Sequence, residues 1–320
     1  MLAPFFDRRF ILVSGKGGVG RSSVCAAIAL EASRRNKRVL VCELNTNERI
    51  PPLFGAQPAG PEIARVANGI WSVNIRPEDA MREYGLMKLR IRALYRAAFE
   101  NRIVHSFLRF IPGLPELLML GKAFFHETER NEQTGRPVWD MVVVDAPATG
   151  HGVPFLRIPQ VVLSVTSSGP MADDARRMQA LLTDADRTSL NIVTLPEWLP
   201  VSEAIQLKRQ VDDILHIPTG FLFLNAVHDS PFRSPSREAL DLLQTGYRGA
   251  DPLVSALIAA GDNRERRHLL EEEHLDRLRA AVDMPRVRIP YLFLPEWGRD
   301  ALDAMARAIT DGIDHHEGRN

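Results

Sequence analysis

Short, continuously apolar runs recur along the chain and alternate with longer stretches of helical character. The runs lie at residues 10–13, 39–42, 141–144, 161–165, 192–194 and 221–224. Continuous apolarity, as opposed to strict alternation, is typical of parallel strands that helices cover on both faces. The pattern therefore predicts an α/β protein with a mostly parallel sheet flanked by helices.

Two stretches depart from this rhythm. Residues 81–129 have a helical pattern and many large apolar side chains, which predicts a helical subdomain inserted at about residues 80–130 of a single domain spanning 1–320. An apolar helical face within the insertion is either core or an exposed groove, and it carries Ile103, Phe107, Phe110 and Ile111. Residues 234–283 are polar and helix-prone, and the tail after Gly312 is expected to fray.

Composition narrows the functional classes. Forty basic side chains balance forty acidic ones, so no global field draws the protein to nucleic acid, and no nucleic-acid partner is expected. The cysteines Cys25 and Cys42 form no CxxC pair, which argues against a disulfide framework and a thiolate metal site. Because no secretory signal and no apolar window of about 18 residues occur, we expect a cytoplasmic protein without a transmembrane segment.

A glycine-rich turn follows the first predicted strand and precedes a helix that is predicted to begin near Ser22. The turn consists of Gly15, Lys16, Gly17, Gly18, Val19, Gly20, Arg21, Ser22 and Ser23. Its spacing is that of a phosphate-binding P-loop, in which backbone N–H groups and a helix N-terminus surround phosphates. The turn predicts nucleotide binding, with the Ser22 hydroxyl as a ligand of Mg²⁺.

The position of Lys16, directly after the first glycine, makes the turn resemble the deviant P-loops of ATPases that dimerise over their nucleotides. The segment from Asp145 to His151, DAPATGH, followed by LRIP at 156–159, narrows the resemblance to the arsenite-pump and tail-anchored-protein targeting ATPases. This resemblance implies a P-loop NTPase fold, the cofactors ATP and Mg²⁺, a water-mediated contact of Asp145 with Mg²⁺, and a dimer in which Lys16 contacts phosphate. It also implies that Asn225 and Pro295 lie against the adenine.

Two departures from the family pattern bear on ATP hydrolysis. Arg21 stands where the family has the P-loop lysine, and a planar guanidinium is bulkier than the ammonium that reaches the β- and γ-phosphates. Counting from the second predicted strand to Phe54 and Gly55 places Asn45 at the family's water-orienting aspartate; an amide holds a water but does not accept its proton. Glu43 is either a substitute for that aspartate or a structural residue at a strand end.

Two functions remain open at this point. The first is an ATPase that couples nucleotide state to dimer rearrangement and to the binding of a hydrophobic or membrane-protein client, with Lys16, Arg21, Asn45 and Asp145 as its catalytic group. The alternative is a weakly or non-hydrolysing nucleotide-binding subunit of a heterodimer with an active relative. The cysteines with which the arsenite pump binds arsenite have no counterpart, which disfavours that role. The sequence names no client and leaves homodimer and heterodimer open.

Overall fold

The computed structural model describes residues 3–89, 114–229, 234–246, 249, 251–294 and 297–318. Its described strands form one sheet in the order β3-β4-β2-β5-β1-β6-β7-β8. Their bounds are β1 Phe10–Gly15, β2 Val39–Leu44, β3 Ala64–Ala67, β4 Ile70–Ile75, β5 Met141–Asp145, β6 Thr188–Thr194, β7 Thr219–Val227 and β8 Arg286–Pro290. All neighbouring strands are parallel except the antiparallel pair β3 and β4, so the predicted, mostly parallel sheet is confirmed.

Helices cover both faces of this sheet. Their bounds are α1 Arg21–Arg34, α2 Ile50–Leu53, α3 Pro77–Leu89, α4 Leu114–Thr128, α5 Thr149–Val165, α6 Pro170–Thr183, α7 Trp198–Gln210, α8 Ser234–Gly246, α9 Pro252–Ala281 and α10 Arg299–Glu317. Successive residues of one strand enter different cores: Leu12 packs in the cluster with α4 and α5, and Ile11 and Val13 pack in the cluster with α1 and α10. Burial on both faces explains why the central strands read as continuous apolar runs.

The prediction of a strand at residues 161–165 is wrong, because this run forms the last turns of α5. The apolar residues before it are buried at the helical spacing of three, as Val153 with Leu156 and Phe155 with Ile158 show. Val165 is 83% exposed, which a strand in the middle of a covered sheet would not be. A short apolar run taken alone looks the same in a buried strand and in a buried helix. The helical pattern that precedes this run indicates the helix.

Within the described residues, α3 and α4 lie between β4 and β5 and pack against each other, where the sequence predicts a helical insertion. The apolar face with Ile103, Phe107, Phe110 and Ile111 lies outside the described residues. The organisation of residues 1–320 as a single domain stays a prediction. The described helices include none that is both long and apolar enough to cross a membrane.

The described parts of the stretch 234–283, which is predicted to be helix-prone, form α8 and α9. The expected fraying after Gly312 is wrong, because α10 continues to Glu317. Ile313 is completely buried, and a ring nitrogen of His316 lies 2.9 Å from the carbonyl oxygen of Arg286, so the last turn of the helix is held against β8.

Candidate functional site

The glycine-rich turn lies between β1 and α1, at the carboxyl edge of the sheet. Gly18 and Gly20 have φ angles of 88° and 92°, in the left-handed region that favours glycine. A Cβ atom on Gly20 would lie 2.3 Å from Nδ2 of Asn225, so this position has no room for a side chain. Since ligands of open α/β sheets bind at the carboxyl ends of the strands, the turn has the place that a phosphate-binding loop requires.

Three of the predicted site residues meet at the end of β5. The hydroxyl of Ser22 donates a hydrogen bond of 2.6 Å to Oδ2 of Asp145. The guanidinium of Arg21 donates to the carbonyl oxygen of Ala146, and its Nη1 lies 3.7 Å from Oδ1 of Asp145. The first turn of α1 is therefore joined to the end of β5 through side chains that are 123 or more residues apart in sequence.

The carboxyl group of Asp145 is almost completely buried, and its Oδ1 has no hydrogen-bond partner among the described residues. Burial raises the pKa of Asp145 above its usual range, while the charge of Arg21 and the hydrogen bond from Ser22 oppose that rise. A carboxylate oxygen without a partner, beside a hydroxyl, is the oxygen donor set that Mg²⁺ prefers. The described residues include no group of three or more His, Cys, Asp or Glu side chains that could hold a metal ion.

Lys16 points from the turn toward α7. Its Nζ lies 3.4 Å from Oε1 of Glu203, and both side chains are partly exposed. Glu203 also lines a cavity of about 1010 Å³ that extends between α4, α5 and α7 and reaches Asn45 and Pro147 at the carboxyl ends of β2 and β5. Lys16, which is predicted to bind phosphate, is thus paired with the carboxylate of Glu203 at the carboxyl edge of the sheet.

Asn45 follows β2 and lies exposed at the same edge, with a φ angle of 47°. Its N–H donates to the carbonyl oxygen of Ile75 at 2.9 Å. The next residue, Thr46, is held by Asn74, whose Nδ2 donates to the Thr46 carbonyl oxygen at 2.7 Å. The segment that is predicted to orient water is therefore fastened to the end of β4.

Glu43 lies within β2 and is completely buried. Its Oε1 accepts hydrogen bonds from the backbone N–H groups of Arg49 at 2.7 Å and Ile50 at 3.4 Å, which fixes the start of α2. Burial raises the pKa of Glu43 to about 7. Because the carboxyl group is closed off from solvent, this geometry favours the structural role for Glu43 over that of a base acting on water.

Asn225 lies on β7, and its Nδ2 donates a hydrogen bond of 2.8 Å to the carbonyl oxygen of Val19 in the turn. The predicted adenine-side residue is thereby brought into contact with the phosphate loop. Pro295, the other residue predicted there, lies outside the described residues. The contact of Asn225 with adenine stays a prediction.

The structure brings Arg49 to this edge as well, a residue that the sequence analysis missed. The signal was available, since Arg49 lies in the same segment as Asn45, between β2 and α2, and is the one arginine of that segment.

Comparisons with known proteins agree with this geometry. Residues 8–168, which include the glycine turn and Asp145, match the model of a family described as anion-transporting ATPase. ATPase BagA of Mycobacterium tuberculosis is 28% identical over an alignment that covers 96% of this chain and 89% of that protein. A protein of Halobacterium salinarum named as an arsenical pump-driving ATPase is 24% identical, with 98% of this chain and 46% of that protein covered. ATPase GET3 of Kluyveromyces lactis is 23% identical, with 63% and 68% covered.

Proposed function

Because the chain belongs to the anion-transporting ATPase family, we propose that it binds ATP and couples its nucleotide state to the rearrangement of a dimer and to the binding of a partner or client. The observation that carries this proposal is the cluster of Arg21, Ser22 and Asp145 at the glycine-rich turn. We further propose that the protein acts in the cytoplasm.

In the proposed complex, the backbone N–H groups of residues 15–23 bind the phosphates, and Lys16 and Arg21 add positive charge. Ser22 and Asp145 would hold Mg²⁺, which neutralises phosphate charge when bound. The Ser22 to Asp145 hydrogen bond supports this assignment, because it places hydroxyl and carboxylate oxygens at one point. Asn225 fixes the turn from the side of β7.

The dimer is proposed from the position of Lys16 in the turn. The Lys16 ammonium is paired with Glu203 of its own chain, so contact with a phosphate across a dimer interface requires it to leave that carboxylate. The client site is proposed from the helices that follow β4. A mainly apolar cavity of about 530 Å³ lies between α3, α4 and α6, and its wall includes Leu117, Phe124 and Met178 together with charged side chains such as Lys122 and Asp174.

A second candidate function is a nucleotide-binding subunit that hydrolyses ATP weakly and pairs with an active relative. Two observations favour it: the Arg21 guanidinium is engaged by Asp145 and the Ala146 carbonyl, and Asn45 presents an amide in place of a carboxylate. We expect tight ATP binding with slow turnover.

Single-turnover hydrolysis of ATP by the purified protein, alone and mixed with a related ATPase, tests both functions. Robust turnover by the protein alone would reject the weakly hydrolysing subunit, and failure to bind ATP would reject both. If hydrolysis is limited by the two departures, Asn45→Asp and Arg21→Lys raise the single-turnover rate. A rate unchanged by either variant would contradict the roles proposed for Asn45 and Arg21.

A further inference from the structure

We infer that Arg49 contacts the terminal phosphate of bound ATP and makes the site selective for the triphosphate over the diphosphate. This inference rests on the proposed ATP-binding function. It concerns the short segment between β2 and α2, which ends at Arg49.

The backbone of Arg49 is fixed beside the proposed Mg²⁺ site. Its N–H donates to Oε1 of Glu43 at 2.7 Å. Glu43 on β2 stands directly opposite Asp145 on β5 in the parallel register of the two strands. Side chains in register on neighbouring parallel strands point to the same face, and the strands are about 4.8 Å apart. The residue that holds Arg49 is therefore the immediate neighbour of the carboxylate that is proposed to hold Mg²⁺.

The side chain of Arg49 is exposed and forms no ion pair with another residue in the part of the chain that the structure describes. Two other cations of the edge are engaged, Arg21 by Asp145 and Ala146, and Lys16 by Glu203. The charge of Arg49 nevertheless acts on the site, since it is among the groups that oppose the rise that burial causes in the pKa of Asp145. Arg49 is thus a cation that is available to a ligand at this carboxylate.

The order of the strands indicates which phosphate Arg49 would reach. Along the carboxyl edge the order is β2, β5, β1, β6, β7, with the glycine turn above β1. Asn225, on the proposed base side, lies on β7, and Asp145 lies on β5. A nucleotide with its base near β7 and its phosphates in the turn therefore directs its phosphate tail toward β5 and β2. Arg49 follows β2, so it lies at the far end of this path, on the side of the terminal phosphate.

Arginine suits this position chemically. A guanidinium forms two parallel hydrogen bonds to phosphate oxygens, and it stabilises the charge that is spread over the transferring phosphoryl group. Since Asn45, in the same segment, carries no charge, Arg49 is the positively charged residue that this segment presents. Loss of Arg49 should weaken the binding of a triphosphate and leave the binding of a diphosphate intact.

Isothermal titration calorimetry with the full chain and Mg²⁺ tests this inference, with the non-hydrolysable analogue AMP-PNP and with ADP as probes. The variants are Arg49→Ala and Arg49→Gln, and thermal melting checks that each one folds. Arg76→Ala is the matched control, because Arg76 is also exposed and directly follows β4 at the same edge.

We expect both Arg49 variants to bind AMP-PNP about tenfold more weakly, the loss expected for a hydrogen bond between charged groups, while ADP affinity changes by less than about twofold. Arg76→Ala should change neither affinity. An unchanged ratio of AMP-PNP to ADP affinity in the Arg49 variants would overturn the inference, as would an equal loss in Arg76→Ala. If the unaltered protein binds neither nucleotide, the proposed function fails together with it, which distinguishes that outcome from a failure of Arg49 alone.

Discussion

Gly20 lies in the phosphate loop directly against a side chain of β7. Its φ angle of 92° lies in the left-handed region, and its hydrogen atoms face Nδ2 of Asn225, where a Cβ would approach to 2.3 Å. From this position, the Asn225 side chain donates a hydrogen bond to the carbonyl oxygen of Val19. Glycine at this position is therefore required by the backbone angle and by the neighbouring strand, in addition to any need of a bound phosphate.

Replacing Gly20 by alanine is expected to destabilise the nucleotide-free protein. The left-handed backbone costs an L-residue about 1–2 kcal/mol, and displacement of Asn225 costs about 1 kcal/mol more through its lost hydrogen bond. Urea unfolding measures the change. Gly17→Ala is the control, because a Cβ there meets nothing within 4 Å.

The two contributions can be separated by combining Gly20→Ala with Asn225→Ala. The double variant should be more stable than the sum of the single changes predicts, because removal of the Asn225 amide relieves the contact at 2.3 Å. Strict additivity would show that the clash is absent from the folded protein. Equal destabilisation by Gly17→Ala would show that the loop tolerates no added methyl group anywhere.

The pKa of Glu43 makes stability depend on pH. Its folded-state pKa of about 7 lies above the ordinary value of 4.5, so the folded protein retains a proton that the unfolded chain releases within this window. The stabilisation from this proton is complete below about 4.5 and is lost as pH rises through about 7.

Glu43→Gln removes this titration and keeps an oxygen that accepts from Arg49 and Ile50. The free energy of unfolding of the variant, measured relative to that of the unaltered protein, should increase between about pH 5 and about pH 8 by an amount on the order of 2 kcal/mol. Urea titrations at the two pH values measure it. A difference that does not change with pH would show that Glu43 is not held protonated by burial.

Among the strands, the central ones were predicted correctly. The continuous apolar runs of β1 and β5 suffice because both of their faces are covered. β4 was missed because Ser72 and Asn74 interrupt its apolar residues, although both polar residues are buried. β8 was missed because it lies at the edge of the sheet, where only alternate residues are buried. Local hydrophobicity thus reports the surroundings of a strand, and it fails where one face is open or where tertiary contacts bury polar side chains.

A buried carboxylate joins α4 to the amino ends of two strands. Glu127 is 1% exposed, and its carboxylate oxygens lie 3.0 Å from Nε of Arg9, beside β1, and 2.5 Å from Nη2 of Arg187, beside β6. This group lies at the end of the sheet opposite the glycine turn. It fixes one end of the helix that also borders the proposed client cavity.

Glu127→Ala should destabilise the protein by about 2–3 kcal/mol, because it removes charge-assisted hydrogen bonds to two guanidinium groups that are partly exposed. The comparison is Glu83→Ala, which breaks a single 2.8 Å ion pair between α3 and Lys122 on α4. Since Glu83 is half exposed, its loss should cost no more than about 1 kcal/mol. Chemical unfolding at equilibrium measures both changes, and similar values for the two variants would contradict the special role of Glu127.

Across the whole molecule, the site could be predicted where its functional residues follow one another in the sequence. The glycine turn and the segment that begins at Asp145 are such stretches, and the structure brings them together through Ser22. The partners of these residues were not predictable, because Glu203 reaches Lys16 and Asn225 reaches Val19 only through the order of the strands. That order is set by packing over the whole sheet and leaves no local pattern in the sequence.

The ion pair between Lys16 and Glu203 bears on the proposed dimer, because Lys16 lies in the phosphate loop and is the residue proposed to contact phosphate across the interface. If Lys16 contacts phosphate across the interface, the ion pair with Glu203 competes with dimerisation, and Glu203→Gln should favour the dimer. Because both side chains are more than a quarter exposed, the pair is worth at most about 1 kcal/mol, which corresponds to a change of about fivefold in the dimerisation constant for each site.

Lys16→Ala should abolish dimerisation that depends on AMP-PNP. Sedimentation velocity at a series of protein concentrations, with and without AMP-PNP and Mg²⁺, measures both effects, and Glu116→Gln is the control because Glu116 lines the same cavity as Glu203. A protein that stays monomeric with AMP-PNP would reject the dimer, whereas a dimer unaffected by Glu203→Gln would reject only the competition for Lys16.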